Sequence, residues 1–351
     1  MAAGVTPLVD LHEDISYYLN CGAGLKFPVG DLNVDMYGRH ADIPKYRRAG
    51  VSLVFSAVFP LPPTYNPRLT SLLTSGYGFS ARALTARAVF PLALEHFKTY
   101  HRVVKQHSEE LGLLLSREQL EQVTEQDKVY FLISLEGSEA VEEIGDIELF
   151  YKLGLRSLQL TWNYDTRYAA SCMSKKDYGL TGEGEELVEL CNQLGIIIDL
   201  AHSSKRTVIE TCNISRLPII ISHANYAGVH SHKRNVDDQV LEAITSTGGL
   251  LGFTLIPSTI SKDSPTINDL ANHVLAVYES FGDDVIALGT DFFGLIDIDP
   301  PQGFESIDKA GEFWRLLLDK GLTERSVRKL AWENPLRVVQ RHAERWRHPS
   351  M

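Results

Sequence analysis

The amino-acid sequence predicts a single α/β domain over residues 1–351, built as a (β/α)8 TIM-type barrel with extra C-terminal helices. Three observations lead there. Eight short apolar runs alternate with helical patterns, in a chain of the length that one such barrel takes. Several runs are apolar without interruption rather than at every second residue, as parallel strands buried on both faces are. Acidic and imidazole side chains stand at the carboxyl ends of the runs, where a barrel carries its chemistry. No internal repeat suggests a solenoid.

Composition narrows the class of protein. Hydrophobic residues make up 44% and charged residues 23% of the chain, the proportions of a soluble globular protein with a large core. A formal net charge of -11, with no Lys/Arg cluster, argues against a nucleic-acid partner. No 18-residue apolar run and no signal peptide opens the chain, and its end, Arg345-Trp-Arg-His-Pro-Ser-Met, is too polar for a lipid-anchor tail. The expectation is a cytoplasmic protein with no membrane partner, and a homodimer is compatible with it. Cys21, Cys172, Cys191 and Cys212 lack metal-type spacing and read as free thiols in a reducing compartment.

The first strand, Val5–Leu11, ends in His12-Glu13-Asp14. Residues two apart on a strand share a face, so His12 and Asp14 can reach one cation; alternatively Asp14 caps the next turn and His12 packs. A short helix near Ala41–Arg48 precedes the second strand, Val51–Phe59, which the Pro60-Leu-Pro-Pro63 run stops. Residues 61–125 read as a helical and loop insertion, with helical patterns at Ala81–Gln106 and Arg117–Thr124. The Tyr, Ser and Gly residues near Ser71–Ser80 could form a flap, solvated helix and loop being the default.

The third strand, Val129–Leu135, delivers Glu136 next to Gly137, which lets the backbone bend closely around an ion. The fourth, Ser157–Leu160, runs into Thr161-Trp162-Asn163, where Trp162 reads as a pocket wall rather than a chemical actor. The glycine-rich Gly179–Gly184 lacks the lysine of a phosphate loop and leads into a helix at Glu185–Leu194. Strands five and six are Gly195-Ile-Ile-Ile-Asp-Leu-Ala-His202 and Pro218-Ile-Ile-Ile-Ser-His223, with one crossover helix in Ser203–Leu217. One histidine after an apolar run is commonly a packing residue. Two at equivalent ends of consecutive strands point toward metal or catalysis.

Beyond strand six, Asp237 or Asp238 caps a helix reaching about Thr245. Arg234, on the same loop, reads from spacing as solvated, or else as a clamp for a substrate carboxylate. Strand seven, Leu250–Ile256, stops at Pro257; a helix covers Ile267–Phe281; strand eight, Val285–Leu288, closes in Gly289-Thr-Asp291-Phe-Phe-Gly294, with glycines that let the chain turn around Asp291. Helices at Phe304–Lys320, Glu324–Ala331 and Pro335–Trp346 complete the chain. His12, Asp14, Glu136, His202, His223 and Asp291 thus meet at one barrel end. Three imidazoles and three carboxylates without a thiolate suit two zinc-like ions bridged by one carboxylate.

These residues resemble the renal or membrane dipeptidase family of metallopeptidases, within the amidohydrolase-like barrels. The resemblance is carried by Asp10-Leu-His12-Glu-Asp14, Leu135-Glu136-Gly137, Leu194 to Ser204, Ser222-His223-Ala, Lys233-Arg234-Asn235-Val236-Asp-Asp-Gln-Val240 and Gly289-Thr-Asp291-Phe. These occur in the family's order over most of the chain, residues 61–125 matching least. The resemblance implies that His12 and Asp14 hold one Zn2+, that His202 and His223 hold the other, and that Glu136 bridges them. It implies Asp291 as the acid/base beside a water bridging the two ions, and Arg234 as the anchor for the terminal carboxylate of a small dipeptide substrate, reversing the solvated reading of Arg234. One position departs. Better-known animal members carry a histidine after strand four, thought to help bind the oxyanion, where this chain has Trp162. An indole N–H donates one hydrogen bond and does not change charge near neutral pH, which puts the rate on ordinary dipeptides in question. Other expectations are an N-acyl amino acid hydrolase on the same centre, or a catalytically silent barrel that binds a partner. Six retained positions argue against the silent barrel.

Overall fold

A computed structural model describes residues 7–22, 24–60, 89–125 and 128–346. The strands are β1 (Leu8–Glu13), β2 (Val51–Val58), β3 (Leu111–Leu113), β4 (Val129–Leu135), β5 (Leu155–Gln159), β6 (Ile197–Asp199), β7 (Ile220–Ala224), β8 (Leu250–Phe253) and β9 (Ile286–Leu288). The helices of the first half are α1 (Ile15–Asn20), α2 (Ile43–Ala49), α3 (Val89–Gln106), α4 (Gln119–Glu125), α5 (Asp146–Lys152) and α6 (Gly182–Leu194). The second half holds α7 (Lys205–Ile214), α8 (Asp238–Ser246), α9 (Pro257–Ile260), α10 (Ile267–Phe281), α11 (Ala310–Asp319), α12 (Glu324–Arg328) and α13 (Asn334–Ala343), with a π-helical turn at Lys329–Glu333 between the last two.

All strand pairs are parallel, in the order β2-β1-β9-β8-β7-β6-β5-β4, and β2 pairs with β4 to close a (β/α)8 barrel. The sequence reading does not contain β3. It is a ninth, three-residue strand beside the start of β4, at Leu111↔Val129, below the level where β5 pairs at Ile133↔Leu155. The uninterrupted apolar runs bury as expected: every residue of β1, β2 and β4 is inside. Side chains of one parity, such as Val9, Leu53, Leu132, Ile197, Ile220 and Leu250, fill the barrel, while the others pack outward against the helices. The lower interior is completed by Leu336, Val338, Val339 and Ala343 of α13. The last predicted helix is therefore a plug for the barrel's base.

Local chemistry sets the strand–helix junctions. Thr181, Ser204 and Asp237 accept hydrogen bonds from the backbone N–H of Gly184, Thr207 and Val240 and so start α6, α7 and α8. Gly195 ends α6 at φ 73, the left-handed turn that sends the chain into β6. The predicted helix at Phe304–Lys320 begins instead as a 3-10 turn at Ile307 and is α-helical from Ala310. The proposed flap near Ser71–Ser80, the helical pattern at 81–88 and the start of strand one at Val5 lie outside the described residues.

Candidate metal centre

β1 delivers His12 and Asp14, β4 Glu136, β6 His202, β7 His223 and β9 Asp291, all six buried at the carboxyl end of the barrel. Asp14 occupies the N-cap position of α1 but makes no capping bond. Its Oδ2 lies 3.5 Å from His12 Nε2, as the shared strand face predicts. Glu136 stands between the imidazoles. Its Oε2 is 3.4 Å from His12 Nε2, while Oε1 is 3.3 Å from His202 Nε2 and 3.9 Å from His223 Nε2. Asp291 Oδ1 is 3.7 Å from His12 Nε2. Ligand-type atoms of His12, Asp14 and Glu136 form one compact group and those of Glu136, His202 and His223 a second, with Glu136 in both, and those of His12, His223 and Asp291 form a third.

The backbone is bent to make this possible. His202 and Asp291 have φ of 68° and 64°, left-handed conformations uncommon outside glycine. Cys172 N–H donates to the His202 carbonyl (2.7 Å), and Asp291 N–H donates to the His12 carbonyl (3.0 Å), so neighbouring segments hold both bends. Two buried carboxylates tie the ligand strands together. Asp10 accepts from the N–H groups of His12 and Thr290, bridging β1 to the Asp291 loop, and Asp199 accepts from those of Ala201 and Ser222, bridging β6 to β7. Gly289 and Gly294 are not turn glycines with positive φ, a correction to the sequence reading. They make space: a Cβ at Gly294 would lie 2.3 Å from Asp14 Oδ2, and one at Gly289 would lie 1.8 Å from the Ser222 carbonyl. Gly137, with φ 80, does supply the expected bend.

Each imidazole turns Nε2 inward and has a polar partner at Nδ1: the Gln159 amide at 3.4 Å from His12, Asn163 Oδ1 at 2.8 Å from His202 and Ser222 Oγ at 2.7 Å from His223. Asn163 Oδ1 is an acceptor, so the His202 proton sits on Nδ1 and its Nε2 lone pair faces the centre. The Ser222 hydroxyl accepts from His223 Nδ1 in the same tautomer, whereas the Gln159 contact to His12 is made by its amide nitrogen, a donor. His202 and His223 Nε2 are then only 3.0 Å apart, and His12 Nε2 and Asp14 Oδ1 are buried with no hydrogen-bond partner. Inward-facing lone pairs and orphaned buried acceptors fit divalent cations of zinc type.

Electrostatics agree with a site built to hold positive charge. Burial, with Asp14 adding, pushes the Glu136 carboxyl up to about 7. Burial, with Asp14 and Glu136 adding, raises Asp291 well above the carboxylate range against the opposing pull of His12. Burial works against protonating His12, but the Glu136 and Asp14 carboxylates outweigh it and lift its pKa. Burial and then the nearby cations hold His202 and His223 neutral.

A cleft of about 600 Å³ opens above the centre. Arg234 is buried rather than solvated, donating from Nη2 to His202 Nε2 (2.9 Å) and to the His223 carbonyl (3.3 Å). Trp162 lines the cleft, its ring 5.1 Å from Phe59 and 6.1 Å from the His202 ring. Asp14, Glu136, Trp162, His202, Arg234 and Asp291 line this one space, and His12 and His223 lie against Glu136 outside that lining. The sequence reading gives Asp10, Gln159, Asp199 and Ser222 no role. Asp10, Asp199 and Ser222 stand out as polar residues in otherwise apolar runs, which marks the position but not its partner, while Gln159 follows Arg156 and Ser157 and carries no such mark.

Comparison with known proteins gives the same picture. A family model described as membrane dipeptidase, peptidase family M19, matches residues 3–350. The chain is 27% identical over 340 residues to Dipeptidase verJ of Clonostachys rogersoniana, covering 95% of this chain and 83% of that protein. Among solved structures it is similar to a metallo peptidase from Rhodobacter sphaeroides liganded with a phosphinate mimic of the dipeptide L-Ala-D-Ala, with TM-score 0.80, 22% identity and coverage of 96% and 99%. It is also similar to an amidohydrolase from Pseudomonas aeruginosa, with TM-score 0.76, 23% identity and 97% of both chains covered.

Proposed function

Because this chain belongs to the membrane dipeptidase family, peptidase family M19, we propose that it is a binuclear zinc dipeptidase acting on small dipeptides with a free terminal carboxylate. The observation that carries the proposal is the placement of Glu136, whose Oε2 faces His12 and whose Oε1 faces His202 and His223. His12 and Asp14 would hold one ion, His202 and His223 the other, with Glu136 shared. When bound, the ions would polarise the scissile carbonyl and lower the pKa of the attacking water.

The remaining steps belong to side chains of the protein. Asp291, at the lip of the centre, accepts the proton of the attacking water and returns it to the departing amine nitrogen, so one carboxyl serves as base and then acid. The buried guanidinium of Arg234 pairs with the substrate's terminal carboxylate, a match of fork to fork that a substrate without that group cannot make. Trp162 forms the wall beside the reacting centre and, carrying no titratable group, contributes packing and one N–H donor.

The test is hydrolysis of a panel of L-L and L-D dipeptides by zinc-loaded protein beside a chelator-stripped control. Turnover that disappears on stripping and returns with zinc supports the proposal. Folded, metal-filled protein that turns over none of the panel would refute it.

A further inference from the structure

We propose that the cleft selects dipeptides whose N-terminal residue carries a large apolar side chain, aromatic above all; this inference rests on the dipeptidase reading. It starts from the order of the strands. Around the closed barrel, three strands separate β2 from β7 in either direction, so the two stand opposite each other. Arg234 enters the cleft from the loop after β7, and Phe59 from the residue after β2. A dipeptide held at Arg234 by its carboxylate, with its peptide bond at the centre on the barrel axis, therefore carries its N-terminal residue toward Phe59.

The wall it meets is aromatic. Phe59 and Trp162 line the cleft with ring centroids 5.1 Å apart, and Tyr164, outside the cleft's lining, packs on Trp162 at 5.5 Å. The three rings run outward from a buried Phe59 (6% exposed) to a Tyr164 that is 47% exposed. Met173 and Ile298, also exposed, stand on the lip of the same cleft. Exposed large apolar side chains gathered at the mouth of a polar centre mark a surface that is covered when ligand binds. An aromatic side chain adds edge and face contacts with such rings that an aliphatic one lacks. Among the described residues lining the cleft, the acids other than Asp297 belong to the centre, Arg234 is committed to the carboxylate, and no lysine is present. A charged N-terminal side chain would lose its water against Phe59 and Trp162 without gaining a partner there. The cleft's volume of about 600 Å³ accommodates two large residues.

The experiment reads kcat/KM of the zinc-loaded protein on Xaa-Ala dipeptides with Gly, Ala, Leu, Phe, Asp or Lys first, beside the mirror series Ala-Xaa. Phe-Ala should exceed Gly-Ala by about 30-fold, with Leu-Ala between them and Asp-Ala and Lys-Ala low. The mirror series should vary less. Trp162→Ala should cut the Phe-to-Gly ratio by about tenfold, and Tyr164→Ala, at an exposed site that leaves the fold intact, by about threefold. A flat Xaa-Ala series, a preference for Asp-Ala or Lys-Ala, or a ratio unchanged in both variants overturns the inference while the dipeptidase reading stands. Failure to hydrolyse every member of both series, by folded and metal-filled protein, overturns the reading as well.

Discussion

Asp291 holds a left-handed backbone at φ 64, a conformation that asparagine tolerates as well as aspartate does. Asp291→Asn should therefore keep fold and bound zinc while removing the proton acceptor. We expect kcat on a dipeptide to fall by about 10²- to 10⁴-fold, and metal analysis to show unchanged zinc; retained kcat would remove Asp291 from the proton path. Asn163 acts one layer out. It holds His202 Nδ1 at 2.8 Å and so fixes which nitrogen faces the centre. Asn163→Ala should weaken zinc binding by about 10- to 100-fold in a chelator competition, whereas Asn163→Asp, which keeps an acceptor, should not. An equal loss in both variants would mean that the contact does not orient the ligand. At this scale the cluster itself is legible, because imidazoles and carboxylates at strand ends are conspicuous. Their partners are not: Gln159 and Ser222 are ordinary polar residues whose role depends on which ring approaches them across the barrel, and no spacing along one strand encodes that.

Among the elements, strands that are buried on both faces announce themselves, and the long apolar runs at Val51 and Val129 are found where the pattern puts them. β3 and the short helices α1, α5 and α9 span only three to seven residues each, too few for a period to emerge before the next turn signal. Glycines inside strands were the other blind spot. Gly252 sits in β8, and a Cβ there would lie 1.9 Å from the Ser222 carbonyl, the residue before His223. That atom belongs to the backbone of a paired strand and cannot step aside. Gly252→Ala should cost roughly 3 kcal/mol or more of stability in denaturant unfolding and should lower zinc occupancy by shifting His223. Gly311, in the first turn of α11, has nothing within 4 Å of its would-be Cβ. Gly311→Ala should be neutral or stabilising by about 0.5–1 kcal/mol. Equal effects at the two sites would mean that crowding at β7 is not what selects glycine in β8.

Taken whole, the barrel has its chemistry at one end and its closure at the other, and α13 couples the closure to pH. The helix reads in sequence as an ordinary amphipathic segment, because its inward face is apolar whether it packs on the barrel's flank or fills its base. The structure puts Leu336, Val339 and Ala343 into the interior, and His342 among the strand starts, where Nε2–H donates to the Pro218 carbonyl at 2.8 Å. Asn334 Nδ2 donates to the Asp283 and Ile286 carbonyls at the same end. Burial pushes the His342 pKa down to about 4, the Pro218 carbonyl opposing it only in part. An unfolded histidine titrates near 6.5, so between these values the unfolded chain binds the extra proton. The stabilisation from a neutral His342 is therefore complete above pH 6.5 and is lost as pH falls toward 4, at about 1.4 kcal/mol per pH unit. Other buried acids and histidines bend the total curve, so the measurement is a difference between two proteins. Denaturant unfolding of wild type and His342→Gln at pH 7 and pH 5 should show the wild type's advantage shrinking by roughly 2 kcal/mol. A constant gap would mean that His342 takes up its proton without disturbing the seal at Pro218, and that the base of the barrel yields more readily than its packing suggests.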